Sequence, residues 1–268
     1  AQISSEIGNF DKLPGFVAAA DAMGMKILPP CVNRGATRFI PERVNKKKMG
    51  IRYGLGGIKG VGEMAANAIL EERKLNGDYK SLVDLCVRVK GNVINKRVLE
   101  ALIRAGALDC FGMHRGRLLA GYETAMARAA EQIKERENGQ GNLFEALLDD
   151  SAAMSIVLGD DLPEAPPLSE QEKLSGEHQL LGIYVSGHPL DRYKTRMIDL
   201  QTVPLAKLQF VQEGADVRTS GIVANVQRRI SQKTKEPWAV LQLSDGDYTI
   251  EALLFSESYK NYSEICQE

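Results

Sequence analysis

The hydrophobic period of this chain changes once, near Gly214, and that change limits what it can fold into. Upstream, apolar residues recur at helical spacing, predicting helices over about 11–23, 62–75, 82–89, 95–105, 115–137 and 169–184. Downstream the spacing drops to two over 217–230, 238–243 and 248–255, which are rich in β-branched and aromatic residues. Asp245-Gly246 supplies a tight hairpin between the last two strands, and a helix starts at Ser256. Helices first and strands afterwards give an α+β chain of several domains, not an alternating βαβ fold.

Asp11 is placed to cap the first helix and Gly24 to end it, after which 27–30 is extended. Residues 1–117 otherwise read as short helices punctuated by glycine. The stretch 138–168 is acidic, carries Pro163, Pro166 and Pro167, holds no period, and reads as a linker. The three strands and their helix resemble the opening part of an OB-fold. Two closing strands would be lacking, and the exposed edge this leaves favours disorder or pairing with a second copy. No apolar run approaches the ~18 residues of a membrane-spanning helix, no secretory leader is visible, and the first residues are Ala-Gln. A cytoplasmic protein, excised from something longer and without a membrane partner, is the expectation.

Charge is balanced in sum, 34 basic against 35 acidic side chains, but segregated in sequence. From Arg34 to Lys59 there are eight Lys or Arg against one Glu, and from Arg88 to Arg117 seven against two acidic residues. From Glu145 to Glu177 nine acidic residues face Lys173 alone. Any one such run is ordinarily a solvated face. Two basic runs that each flank a glycine turn point to a polyanion, because fixed cations and free backbone N–H groups then coincide.

The first turn is Lys59-Gly60-Val61-Gly62, which leads straight into a helix and has the hairpin pattern of a helix-hairpin-helix element. Glycine lets the backbone turn sharply and approach a ligand, and the helix start offers unpaired N–H groups to phosphate. The same residues satisfy G-x-G-x-x-A with Ala65, but the helical segments that follow do not supply the βαβ unit of a dinucleotide site. The second turn, around Lys90, Gly91 and Asn92, lies between two short helices with Lys96 and Arg97 beside it. Tandem hairpins of this kind hold the phosphates of a duplex and do not read its bases.

Other constellations are weaker. Paired carboxylates at Asp149-Asp150 and Asp160-Asp161 fall in the linker, and Asp245 and Asp247 in a turn, not on a rigid sheet around cations. His114, His178 and His188 lack partners at ligand spacing. Cys31, Cys86, Cys110 and Cys266 show neither zinc nor disulfide-framework spacing and read as buried thiols. In the strands, Arg228, Arg229, Lys233 and Lys235 with Trp238 are candidate single-strand contacts, while Phe255 is read as core or interface. No active site and no cofactor site emerges. An adaptor whose hairpins serve only protein contact is the alternative.

Three phrases carry a resemblance: 51–62; Asn95-Lys96-Arg97-Val98-Leu99-Glu100-Ala101-Leu102-Ile103-Arg104-Ala105-Gly106-Ala107; and Leu181-Gly182-Ile183-Tyr184-Val185-Ser186-Gly187-His188-Pro189-Leu190. Their order and spacing are similar to those of the bacterial replicative DNA polymerase III alpha subunits, C-family polymerases. The resemblance implies that 1–45 ends a fingers domain and 46–137 holds the duplex-binding helix-hairpin-helix region. It further implies a linker at 138–168, connecting helices at 169–213 and a truncated OB-fold domain at 214–268. Gln140-Gly141-Asn142-Leu143-Phe144 resembles the peptide by which such polymerases bind the sliding clamp, with Gln140, Leu143 and Phe144 as its contacts. The family's catalytic palm and its Mg²⁺ would lie outside this chain, which should not polymerise alone. Double-stranded DNA, the clamp, other replicase subunits and single-stranded DNA at the OB domain are the partners implied.

Overall fold

The computed structural model describes residues 13–45, 48–89, 91, 93–137, 161–245 and 248–265. Asp11 and residues 138–160 of the stretch read as a linker lie outside these residues. Two compact units divide between Ser186 and Gly187, inside the stretch read from the sequence as connecting helices.

In the first unit, α1 (Leu13–Ala22) precedes a small sheet of β1 (Lys26–Leu28), β2 (Ile40–Arg43) and β3 (Met49–Arg52). Its order is β1-β3-β2, with Lys26 opposite Gly50 in parallel and Ile40 opposite Arg52 antiparallel. β1 falls in part on the stretch read as extended at 27–30, whereas β2 and β3 correct the reading of the residues that follow as short helices. Its strands are three or four residues long, too short to show a period, and β1 pairs with a strand distant in sequence. Arg52, counted among the basic run, is buried here: it forks onto Glu42 at 2.6 Å and donates to Pro29 O. That ion pair holds the Glu42 carboxyl below its usual range.

The helices follow, α2 (Gly62–Asn76), α3 (Leu82–Arg88), α4 (Lys96–Arg104), α5 (Arg115–Glu137) and α6 (Glu170–Leu181). Ser81 and Asn95 cap α3 and α4 by accepting from Asp84 N and Val98 N, and Ser169 forms a capping box with Glu172 at the start of α6. α3 and α4 both pack on α5, and α4 also packs on α6. Burial of Leu82, Leu85, Leu99, Leu102, Leu108 and Leu118 closes one core. Residues 161–168, part of the presumed linker, lie along α5: Leu162 is buried, and a Cβ on Gly121 would stand 2.7 Å from its own Cβ.

The second unit holds α7 (Lys194–Asp199) and an antiparallel meander of β4 (Ile222–Ile230), β5 (Pro237–Ser244) and β6 (Thr249–Leu254), followed by α8 (Ser256–Tyr262). β5 is central and carries the buried Ala239, Val240 and Leu241. One extra residue, Ala224, bulges β4 between Val223 and Asn225. The expected first strand begins at Ile222 and not at 217, because Thr219 pairs instead with Val203 in an isolated parallel bridge. Asp245 N donates to Tyr248 O across the hairpin.

Candidate nucleic-acid interface

The first bend is built from the inside out. Tyr53 is buried and its hydroxyl donates to Leu181 O at 2.8 Å, while Lys59 N donates to Leu180 O. The bend is thus mounted on the last turn of α6. A single 3₁₀ turn, Leu55–Gly57, stands where a first helix of the hairpin was expected. Ile58 and Val61 are buried beneath the bend, and Val61 N donates to Ile58 O. Lys59, Gly60 and Gly62 face outward. Gly60 and Gly62 take φ of +95° and +74°, which a side chain would strain. Their N–H groups donate to no group among the described residues, and no side chain caps α2. Donors at a helix start, aimed at solvent, with Lys59 beside them, suit an anion.

At the second bend Gly91 is exposed with open space around it, whereas Lys90 and Asn92 lie outside the described residues. Lys96 and Arg97 are exposed at the start of α4, opposite the buried face of Val98, Leu99 and Leu102. A Cβ placed on Gly60 would lie 3.8 Å from Arg97 Nε and 3.7 Å from Ala101 Cβ. The structure therefore brings the guanidinium at the start of α4 against the glycine of the first bend. Lys96 is not free: its Nζ lies 2.8 Å from Glu123 on α5, which raises the Lys96 pKa. Both members of that pair are more than half exposed, so water and salt weaken it.

Sequence reasoning missed a neighbouring cationic groove. Arg34, Arg38 and Lys74 line it with Thr37 and Asn67, on the flank of α2. Arg73 shapes it by donating to Val32 O and Gly35 O. Lys74 is far from the two arginines in sequence, so no linear pattern reveals their meeting.

In the meander, Arg228, Arg229, Lys233 and Lys235 are all exposed. They do not form one strip. Arg229 stands opposite Trp238, with its guanidinium carbon 5.6 Å from the ring centroid, while Arg228 stands opposite Ala239 on the other face. Lys235 sits in the β4–β5 turn and donates its N–H to Ser231 O. Phe255, read as core or interface, is 65% exposed, which excludes the core position. It closes a groove with Trp238, Ile230 and Lys233. Core position fails because the helix after β6 begins at the next residue and turns the ring outward.

Gln140, Leu143 and Phe144 lie outside the described residues. Among the described residues no group of three or more His, Cys, Asp or Glu could hold a metal ion, and no helix is long and apolar enough to cross a membrane.

A family model described as a helix-hairpin-helix motif matches residues 24–118, which include both bends. The whole chain is similar to proteins named DNA polymerase III subunit alpha. That of Thermus aquaticus is 38% identical across 100% of this chain and 21% of its own length. Those of Xylella fastidiosa and Vibrio cholerae are 33% and 32% identical across 99% and 98% of this chain, and 22% of their own length. The chain spans about a fifth of the length of these relatives.

Proposed function

The chain belongs to the DNA polymerase III alpha-subunit family, and we propose that within such a subunit it grips duplex DNA by the backbone. The observation that carries this reading is the approach of Arg97, at the start of α4, to Gly60, which puts a second cation beside the open N–H groups of the first bend. Backbone N–H groups at the first bend, with Lys59 and Arg97, hold phosphates of the double helix, and Gly91 gives the second bend its close approach. Contacts of this sort ignore base sequence. They hold the newly made duplex behind the site of synthesis.

Two further roles rest on the same relationship. Gln140, Leu143 and Phe144 tether the subunit to the sliding clamp, with the leucine and phenylalanine filling an apolar pocket. Trp238 with Arg229, and Lys233 in the adjoining turn, hold single-stranded DNA by stacking and phosphate pairing. DNA-directed polymerisation and the Mg²⁺ it uses belong to other parts of the subunit, which works in the cytoplasm beside other replicase subunits.

Fluorescence anisotropy on a labelled duplex across a salt series tests the first role. Binding should be independent of sequence, with log K falling by about 0.9 per phosphate neutralised for each decade of salt. If replacing Lys59 and Arg97 by Ala leaves both affinity and salt slope unchanged, the bends are not the grip. Clamp affinity after Leu143→Ala with Phe144→Ala tests the tether, and unchanged affinity removes it.

A further inference from the structure

The cationic groove on the flank of α2 is held open by the fold itself. Its walls are the 34–38 loop and the face of α2 that carries Asn67 and Lys74. Arg73 ties them together by donating to Val32 O at 2.7 Å and Gly35 O at 2.9 Å. Thr37 Oγ1 donates to Asn67 Oδ1 from one wall to the other. The same loop is fixed to the 3₁₀ turn that leads into the first bend, because Leu55 N donates to Ala36 O at 2.8 Å and Gly56 N to Thr37 O at 3.0 Å. Groove and bend therefore belong to one hydrogen-bonded unit. Arg34, Arg38 and Lys74 are exposed, and among the described residues that line the groove Glu71 is the one carboxylate. Arg38, Lys74 and the amide nitrogen of Asn67 donate to no group among the described residues. Arg34 lies 3.5 Å from Glu42 but is 71% exposed, and Arg52 already holds that carboxylate, so the arginine is weakly engaged.

We propose that this groove holds the phosphodiester backbone of the DNA strand that the first bend grips, and so carries that grip along α2. The proposal rests on the duplex-binding reading above and assigns to it Arg34, Arg38, Asn67 and Lys74, which that reading leaves out. The occupant follows from the donors. Two guanidinium forks, an ammonium and an amide offer N–H groups to phosphate oxygens. No aromatic ring lies among the lining residues, so a base finds no surface to stack on. That set suits a sugar-phosphate chain and not a free nucleotide.

Length agrees with charge. From Gly62 to Lys74, α2 rises by about 18 Å. One strand of B-DNA advances roughly 3.4 Å along its axis for each phosphate, so a strand following α2 from the bend to Lys74 passes about five of them. Glu71 repels the same phosphates from within the lining, which gives its removal a definite sign.

Anisotropy of a labelled duplex across a salt series tests the groove and the bend separately. Arg38→Ala with Lys74→Ala should weaken binding about tenfold at low salt and flatten the salt slope by about 1.8, twice the increment for one phosphate. Its melting temperature should match the parent, since neither side chain engages a group of the fold. Arg38→Lys with Lys74→Arg keeps both charges and should keep the slope. Glu71→Gln should tighten binding a few-fold, and weaker binding would place the phosphates elsewhere and overturn the proposal. If the Arg38 and Lys74 pair changes neither affinity nor slope while Lys59→Ala with Arg97→Ala lowers both, the groove is not a contact and the bend remains the grip. If neither pair matters, both readings fall. If the groove pair alone matters, DNA lies there without reaching the bend, and the strand path proposed here is overturned. Inorganic triphosphate, titrated by calorimetry at constant ionic strength, tests a free polyphosphate as occupant. No saturable binding is expected, and a one-to-one complex lost in the alanine pair would overturn the proposal in favour of a small-anion site.

Discussion

Arg115 and Glu177 meet at 2.9 Å in the core of the helical unit, one 5% exposed and the other wholly buried. The guanidinium also holds Asp109 and Arg104 O, and the second carboxylate oxygen accepts from Val185 N and Ser186 N at 3.0 Å. Glu177→Ala leaves Val185 N and Ser186 N without their acceptor and Arg115 with Asp109 as its one carboxylate partner. It should lower stability by about 3–5 kcal/mol, and Glu177→Gln by less, because the amide oxygen still accepts at one of the two carboxylate positions. Urea unfolding at neutral pH reads the difference, and an Ala variant within ~1 kcal/mol of the parent would show that the pair does not hold α6 in place.

The ion pair between Lys96 and Glu123 competes with any polyanion for the lysine. Glu123→Gln should therefore tighten duplex binding a few-fold at low salt and steepen the salt slope by about 0.9, the increment for one further phosphate contact. Arg97→Ala should flatten it by the same amount. Anisotropy titrations at several salt concentrations separate the two. If Glu123→Gln weakens binding, Lys96 needs its partner to be positioned.

Two glycine-to-alanine changes should cost stability for different reasons. At Gly62 there is open space but a positive φ, so the cost is backbone strain of roughly 1–2 kcal/mol. At Gly121 the new methyl meets Leu162 at 2.7 Å, and displacing that buried side chain should cost about 1–3 kcal/mol. Adding Leu162→Ala should recover part of the second loss and none of the first, a double-mutant cycle readable by thermal melting.

His178 stacks on Tyr184 with ring centroids 4.8 Å apart, and burial holds its pKa below the ordinary 6.5. The unfolded chain therefore takes up the proton before the folded one. The stabilisation from the neutral ring is complete above about pH 6.5 and is lost as the pH falls through the lower, folded-state pKa. Unfolding free energies between pH 7.5 and 5 should decline for the parent and decline less for His178→Gln. Parallel curves for the two would mean that another group titrates there.

The helices were legible because their signals are local. Ser81, Asn95 and Ser169 cap helices that begin at the next residue, and the apolar face of α4 repeats at helical spacing. The meander was legible from its alternation and from Asp245. What escaped depends on partners distant in sequence. Lys26 pairs with Gly50 over strands too short to show a period. Residues 161–168 look like a linker until Gly121 and Gly116 of α5 make room for them. In the candidate site, the glycines and cations were named from sequence, but not that Arg97 approaches Gly60, that Glu123 engages Lys96, or that Arg52 is committed to Glu42.

The anchoring of Tyr53 and Lys59 to the carbonyls of Leu181 and Leu180 has a thermodynamic consequence. A loop that must be frozen on contact loses conformational freedom, and that loss subtracts from affinity. This turn is frozen beforehand by bonds to a neighbouring helix, which the buried Arg115–Glu177 pair pins in turn. Encounter with a rigid, repeating polymer therefore demands almost no reorganisation from this edge of the molecule, and release leaves it ready for the next register along the strand.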